Sequence, residues 1–194
     1  QQIWKWPYDY RELDGAHVGL LGYGDIGRET AKRLRVFGCR ISAIRRRGTK
    51  EDAFADDVVF WDQWSEVFPK LDYLVCSLPH TNETAGFLTL EKLKSLPPHA
   101  VVINVGRGSL IPPDHLVTAL EEQIIAGAAV DVAPEEPLPP EHTWWNLDNL
   151  LLTPHSAGNT PRHVDRALEI FFSNWDRFRQ GKPLINVVNH DRGY

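Results

Sequence analysis

The chain has 194 residues, of which 42% are hydrophobic and 24% are charged, as is usual for a globular protein with a sizeable core. Its net charge of −5 argues against a general nucleic-acid surface, and no apolar run reaches the roughly 18 residues that a membrane span needs. The two cysteines, Cys39 and Cys76, lie in separate apolar runs without metal-binding spacing, so we expect buried free thiols in a reducing, cytoplasmic compartment.

Predicted strands and helices alternate along the chain. We expect strands at 17–21, 40–44, 58–61, 73–77, 101–105, 125–132 and 150–152, the last of them a core strand. We expect helices at 28–37, 64–68, 88–96, from 112 onward and at 160–179. Alternation of this kind, with strands apolar on both faces, predicts a doubly wound parallel α/β sheet in three layers. The sheet would occupy residues 17–180, with an arm at 1–16 and a tail at 181–194.

A glycine-rich stretch, residues 22–27, joins the first predicted strand to the first predicted helix. Its sequence places a tight turn at Gly22, an unobstructed backbone at Gly24 and a close helix contact at Gly27. The helix that follows would offer unpaired N–H groups and a partial positive charge to an anion. We therefore predict a Rossmann-type fold that binds a dinucleotide pyrophosphate at this turn.

Basic side chains follow the second predicted strand, where an acidic residue would bind the ribose 2′-OH of NAD. Arg45 takes that place, Arg46 and Arg47 follow it, and no carboxylate comes before Glu51. Guanidinium groups bind phosphate through paired hydrogen bonds. The pattern predicts the 2′-phosphate of NADP as the ligand, and a solvated basic loop is the alternative.

One arginine follows the strand predicted at 101–105. Arg107 stands between Gly106 and Gly108, and these small neighbours are expected to leave room for a substrate. A guanidinium there could hold a substrate carboxylate and polarise a carbonyl. The alternative is a surface salt bridge.

A histidine follows the last predicted strand. His155 can exchange a proton near neutral pH, and a carboxylate such as Glu136 would fix its tautomer through a hydrogen bond. The neighbouring Glu135 illustrates the alternative, in which acidic residues of this loop are only solvated. Because the carboxyl ends of parallel strands meet at one edge of a sheet, these groups are expected to converge there.

These motifs together resemble the nucleotide-binding domain of the D-isomer-specific 2-hydroxyacid dehydrogenases. Four ordered stretches carry the resemblance, at residues 22–27, 104–108, 131–139 and 153–158. The basic end of the second strand is most similar to the NADPH-preferring glyoxylate/hydroxypyruvate reductases of that family. Arg45 departs from the aspartate usual in the family, so NADP is expected and NAD is the open alternative.

The resemblance implies a role for each matching residue. Arg107 would bind the substrate's carboxylate and keto oxygen. His155, paired with Glu136, would be the general acid in reduction and the base in oxidation. The remaining matches would bind the cofactor, at its pyrophosphate, 2′-phosphate, adenosine and nicotinamide: Gly22, Gly24, Asp25, Ile26, Gly27, Arg45, Arg46, Pro79, Thr81, Val105, Asp131 and Gly158.

The implied activity is hydride transfer between a small 2-hydroxy acid and its 2-oxo acid, with no nucleic-acid or membrane partner. A dinucleotide-sensing corepressor of the same fold is the alternative. The family builds its substrate domain mostly from residues that would precede this chain, so the arm at 1–16 and the tail at 181–194 would be the two crossings into it. Alone, the chain is expected to bind cofactor with little or no turnover.

A homodimer is expected, because members of this family dimerise through this domain. We expect the aromatic surface for that contact to be formed by four tryptophans: Trp4, Trp6, Trp144 and Trp145. The alternative is that these side chains pack on the domain's own surface.

Overall fold

A seven-stranded parallel sheet organises the computed structural model, which describes residues 11–49 and 51–189. Its strand order is β3-β2-β1-β4-β5-β6-β7, so the order reverses beside β1 and opens a crevice at the carboxyl ends of β1 and β4. The strands are His17–Leu21 (β1), Arg40–Arg45 (β2), Asp57–Phe60 (β3), Tyr73–Cys76 (β4), Val101–Asn104 (β5), Gly127–Val130 (β6) and Leu150–Leu152 (β7).

Five α-helices are present in the described part of the chain, where the sequence predicts them. They are Asp25–Val36 (α1), Trp64–Val67 (α2), Leu90–Lys94 (α3), Pro113–Glu121 (α4) and His163–Arg179 (α5). The helix α1 begins at Asp25 rather than at the predicted Arg28, because Gly24 already serves as its N-cap. The glycine turn and the first helical turn therefore share residues.

Two apolar clusters lie on opposite faces of the sheet. Val18 and Leu20 of β1 pack on one side with Ala31 of α1. Leu21 packs on the other side in a cluster that includes residues of α2, α3 and α4, among them Leu93. Alternate residues of β1 thus face opposite layers, as strand geometry requires, and the predicted three-layer α/β architecture is confirmed.

The far edge of the sheet differs from the prediction. Leu151 is 64% exposed, so β7 is an edge strand rather than a core strand. The helix α5 is amphipathic as predicted, but the apolar side chains of that helix are exposed: Val164, Leu168, Phe171, Phe172 and Trp175. Hydrophobic spacing shows that a face is suited to burial but does not say which surface covers it.

The predicted tryptophan surface is wrong for one of its members. Trp144 is only 2% exposed, because it lies in a short 3-10 turn, Thr143–Asn146, and its ring enters the core. Its backbone N–H donates to the side chain of His142. Trp145 is 54% exposed, and its indole N–H donates to the carbonyl of Pro139 at 2.8 Å. Trp4 and Trp6 lie outside the described residues.

Both cysteines are free and buried, as predicted, and burial raises the pKa of each thiol. Cys39 also contacts the carbonyl of Leu13 at 3.2 Å, which ties the segment before β1 to the end of α1. Among residues 11–49 and 51–189, no helix has the length and apolar character to cross a membrane.

Candidate active site

A cleft of about 580 Å³ opens where the strand order reverses. This volume is in the usual range for a site that binds a small molecule. The ends of β1, β2, β4 and β5 all contribute to its walls. Nine of the predicted site residues line it: Gly22, Gly24, Ile26, Arg45, Arg46, Pro79, Thr81, Val105 and Arg107.

The glycine turn has the geometry that its sequence predicts. Gly22 has a φ of +99°, and the hydroxyl of Ser77 donates to its carbonyl at 2.9 Å. A Cβ on Gly27 would come 2.3 Å from the same carbonyl oxygen, so a side chain there would force the helix away. Gly24 brings no side chain to the first turn of α1, whose N–H groups lack intrahelical acceptors. The turn therefore fits a pyrophosphate.

The arginines after β2 also fit an anion. The guanidinium of Arg45 donates to the Thr49 hydroxyl at 3.0 Å, while its Nε is buried without an acceptor among the described residues. Arg46 pairs with Glu83 at 3.4 Å, which links the β2 end to the loop after β4. A buried donor without an acceptor often marks a missing ligand, and phosphate oxygens would supply the acceptor.

A carboxylate that the sequence pattern did not point to lies next to this cleft. Asp52 accepts a hydrogen bond from Tyr23 at 2.8 Å and forms an ion pair with Arg28 at 3.0 Å. These contacts join the glycine turn to the segment after β2. Burial raises the pKa of Asp52, but the Phe54 N–H, Tyr23 and the nearby arginines bring it below its usual value. The only sequence signal for this contact is the tyrosine inside the glycine turn.

His155 and Glu136 meet as predicted. The Nδ1 of His155 lies 2.6 Å from one carboxylate oxygen of Glu136, and the backbone N–H of Ala133 donates to the other at 2.9 Å. These two hydrogen bonds lower the pKa of Glu136 against the opposing effect of burial. An ionised carboxylate can only accept, so Nδ1 carries the proton and Nε2 remains for exchange with a substrate.

The loop after β5 holds Arg107 near that pair. Asn104 fixes the loop, because its side chain donates to the carbonyl of Arg107 and accepts from the N–H of Gly106, both at 3.0 Å. The charge of Arg107 also helps to lower the pKa of Glu136. A lone polar residue ending an apolar strand is the sequence signal for this role.

The glycines beside Arg107 have a packing role that the sequence pattern did not indicate. A Cβ on Gly106 would lie 2.7 Å from the carbonyl oxygen of Leu78, and one on Gly108 would lie 1.9 Å from that of Ala133. Both glycines are therefore needed where this loop packs on its neighbours. Gly106 also lines the first cleft beside Arg107, so the expectation that it leaves room for a substrate stays a prediction.

The remaining predicted residues do not line the first cleft. Asp131, Glu136 and His155 line a second cavity of about 570 Å³, together with Trp145. Asp25 and Gly27 belong to the first turn of α1. Gly158 is an exposed residue of the segment after β7, and it lines neither cavity in the part of the chain that the structure describes.

Acid should remove the contribution that the pair of Glu136 and His155 makes to the stability of the fold. Because the folded-state pKa of Glu136 is lowered, its contribution is complete above the unfolded value of about 4.3 and is lost as the pH falls through the folded value. Glu136→Gln should therefore destabilise the fold near pH 7 and match wild type in acid. Urea unfolding across this range tests it, with Glu135→Gln as the matched control. A constant difference at every pH would contradict the prediction.

Comparisons with known proteins agree on one family. The model for the NAD binding domain of D-isomer specific 2-hydroxyacid dehydrogenases matches residues 1–157. A glyoxylate/hydroxypyruvate reductase of Arabidopsis thaliana is 36% identical over 183 residues, which is 93% of this chain and 54% of that protein. A glyoxylate reductase of Pyrococcus furiosus is 33% identical over 190 residues, or 96% of this chain and 55% of that protein. The chain thus spans little more than half the length of these relatives.

Solved structures show the same similarity. A D-isomer specific 2-hydroxyacid dehydrogenase of Xanthobacter autotrophicus, crystallised with NADPH and MES, has a TM-score of 0.89 and 31% identity, covering 98% of this chain and 78% of that one. An NADPH-dependent glyoxylate/hydroxypyruvate reductase of Sinorhizobium meliloti, crystallised with NADP and sulfate, has a TM-score of 0.87 and 26% identity, covering 98% of this chain and 60% of that one. These similarities extend over nearly the whole chain.

Proposed function

Because the chain belongs to the NAD-binding domains of the D-isomer specific 2-hydroxyacid dehydrogenases, we propose that it carries the cofactor site and the acid–base pair of a 2-oxoacid reductase. The observation that carries this proposal is the hydrogen bond of 2.6 Å between His155 and Glu136. It lies on the same edge of the sheet as the glycine turn and within electrostatic reach of Arg107. These are the groups that the reduction of a carbonyl beside a carboxylate requires.

The cofactor in this proposal is NADP(H), whose reduced form, NADPH, would supply the hydride for reduction of the substrate. The first turn of α1 would hold the pyrophosphate, and Arg45 and Arg46 would hold the 2′-phosphate. The buried Nε of Arg45 and the NADPH and NADP in the two similar crystal structures support this assignment. NAD stays the alternative, to be separated by the binding experiment described in the Discussion.

The chain's own side chains divide the remaining chemistry. Arg107 binds the substrate carboxylate and polarises the adjacent carbonyl, since a guanidinium pairs well with carboxylate oxygens. His155 gives a proton from Nε2 to the carbonyl oxygen in reduction and takes it back in oxidation. Glu136 keeps Nδ1 protonated and stabilises the imidazolium. The reductase names of the relatives support glyoxylate or hydroxypyruvate as the substrate class.

The proposal includes a substrate domain that the arm at 1–16 and the tail at 181–194 would join to the nucleotide-binding domain at 17–180. The exposed apolar side chains of α5, such as Phe171 and Trp175, support it, because they form a surface suited to burial. A cytoplasmic homodimer is part of the proposal, with Trp145 as an exposed aromatic residue available for the contact. The corepressor alternative has no support, since the named relatives are reductases.

Turnover tests the proposed function directly. The native protein with its substrate domain should oxidise NADPH when glyoxylate or hydroxypyruvate is added, followed by the loss of NADPH absorbance. In this proposal the 194-residue chain alone should bind NADPH with little turnover, because closure of the cleft against water would require the proposed substrate domain. Pyruvate, which carries a methyl group where hydroxypyruvate carries a hydroxymethyl group, serves as the comparison substrate. Absence of turnover with every 2-oxoacid, despite NADPH binding, would contradict the assigned activity.

A further inference from the structure

The loop that presents His155 has an unusual backbone. His155 has a φ of +50°, in the left-handed region that a residue with a Cβ rarely occupies. Its N–H bonds to the carbonyl of Thr153 at 3.0 Å across Pro154, which makes a very tight turn. Such a conformation persists only where neighbouring groups hold it. The hydrogen bond to Glu136 fixes the ring of His155 but not the backbone on either side of it.

One carboxylate supplies those backbone contacts. Asp131, directly after β6, is only 6% exposed, and both of its oxygens face the loop after β7. One oxygen accepts from the Thr153 hydroxyl at 2.5 Å and from the N–H of Ser156 at 2.9 Å. The other accepts from the N–H of Ala157 at 2.8 Å. The carboxylate therefore grips the loop both before and after His155.

We propose that Asp131 is a positioning residue that clamps residues 153–157 and thereby holds His155 in its left-handed conformation beside Glu136. The charge state of the group agrees with this role. Burial raises the pKa of Asp131, but the hydrogen bonds from Thr153, Ala157 and Ser156 outweigh it and leave the pKa below its usual value. An ionised carboxylate can accept all three bonds at once, which an amide cannot.

The clamp also limits what else Asp131 can do. A carboxylate has about four acceptor positions, and the loop occupies three of them. One position remains, on the oxygen that accepts from Ala157. The expected contact with the nicotinamide carboxamide can use that position alone. The same side chain would then contact the cofactor and the loop of the proton donor. This inference rests on the proposed role of His155, but its first readout needs neither cofactor nor substrate.

Imidazole NMR on the 194-residue chain provides that readout. In wild type, the Nδ1 proton of His155 should give a downfield signal, because it is held against the Glu136 carboxylate, and His155→Gln identifies the signal by removing it. Asp131→Asn should abolish the signal although Glu136 is intact, because the amide nitrogen would face a backbone N–H. Asp148→Asn, at an exposed residue of the turn before β7, is the matched control and should leave the signal unchanged.

Thr153 gives a second test that does not touch the assigned carboxamide contact. Thr153→Val should weaken or shift the His155 signal, whereas Thr153→Ser should restore it, since only serine keeps the hydroxyl donor. In the native protein, Asp131→Asn should lower kcat on the order of 100-fold, the effect of misplacing a reacting group by about 1 Å. Thr153→Val should lower kcat by less, with the KM for NADPH unchanged.

Each outcome decides for or against the clamp. Wild-type His155 signals in both Asp131→Asn and Thr153→Val would overturn it. If Asp131→Asn does not fold, the valine and serine variants at Thr153 are sufficient to decide between the two outcomes. Asp131→Asn could lose the His155 signal while the native wild-type protein reduces no 2-oxoacid. That pair of results would support the clamp and reject the proposed function, so the two can be told apart.

Discussion

Replacement of His155 by glutamine is expected to reduce 2-oxoacid reduction by roughly 10²- to 10⁴-fold, the usual contribution of a general acid. Glutamine preserves much of the side chain's size and its capacity for hydrogen bonding, but it cannot deliver a proton. Binding of NADPH should change little, because the groups assigned to its pyrophosphate and 2′-phosphate, at the glycine turn and at Arg45, stay intact. The rates are to be measured in the native protein with saturating NADPH and glyoxylate.

The matched control is His163→Gln, which makes the same chemical change at an exposed position at the start of α5. It should leave the rate at the wild-type level. Glu136→Gln should fall between the two, because His155 would keep its proton but lose the group that orients it and stabilises its charge. Near-normal turnover of His155→Gln would show that another group supplies the proton.

Replacement of Arg45 by aspartate should shift the cofactor preference of the chain from NADPH towards NADH. The loss of a charged donor to the 2′-phosphate costs about 1.5–3 kcal/mol, so NADPH affinity should fall about 10- to 100-fold. NADH affinity should hold or rise, because a carboxylate at this position can accept from the ribose 2′-OH. Titration of the 194-residue chain with each dinucleotide, followed by calorimetry, gives both constants.

The control for this charge change is Arg33→Asp, on the outer surface of α1, where the arginine side chain is 70% exposed and pairs with Glu29. Both dinucleotides should bind that variant as they bind wild type. A wild-type preference for NADH would reject NADP as the cofactor. Equal losses of NADPH and NADH in Arg45→Asp would indicate a damaged cleft rather than a lost phosphate contact.

Much of the site could be predicted because its residues are tied to the ends of strands. Parallel strands bring their carboxyl ends to one edge, so the order of apolar runs along the chain already places Gly22, Arg45 and Arg107 together. The pairing of His155 with Glu136 needed more than this rule, since each belongs to a loop. The sequence motif around each of these two residues indicated their pairing, which strand geometry alone does not predict.

Other contacts were beyond prediction because they depend on how loops return to the body of the protein. Asp52 accepts a hydrogen bond from Tyr23 although 29 positions separate them. Gly108 is required by the carbonyl of Ala133, which is remote in sequence. Trp144 is buried and Trp145 exposed although they are neighbours of the same residue type. The spacing of hydrophobic residues does not predict these contacts, because tertiary packing determines each of them.

The strand order has a consequence for redesign of the protein. Arg45 ends β2 and Asp131 follows β6, and four strand-to-strand steps separate them in the sheet. At about 4.8 Å a step, the two regions lie roughly 19 Å apart, beyond the 7–10 Å or so within which substitutions usually influence one another. The free-energy effects of changes at the two ends should therefore add. Substitutions near Arg45 can then change which coenzyme the chain prefers, while proton delivery at the other end of the site is unchanged.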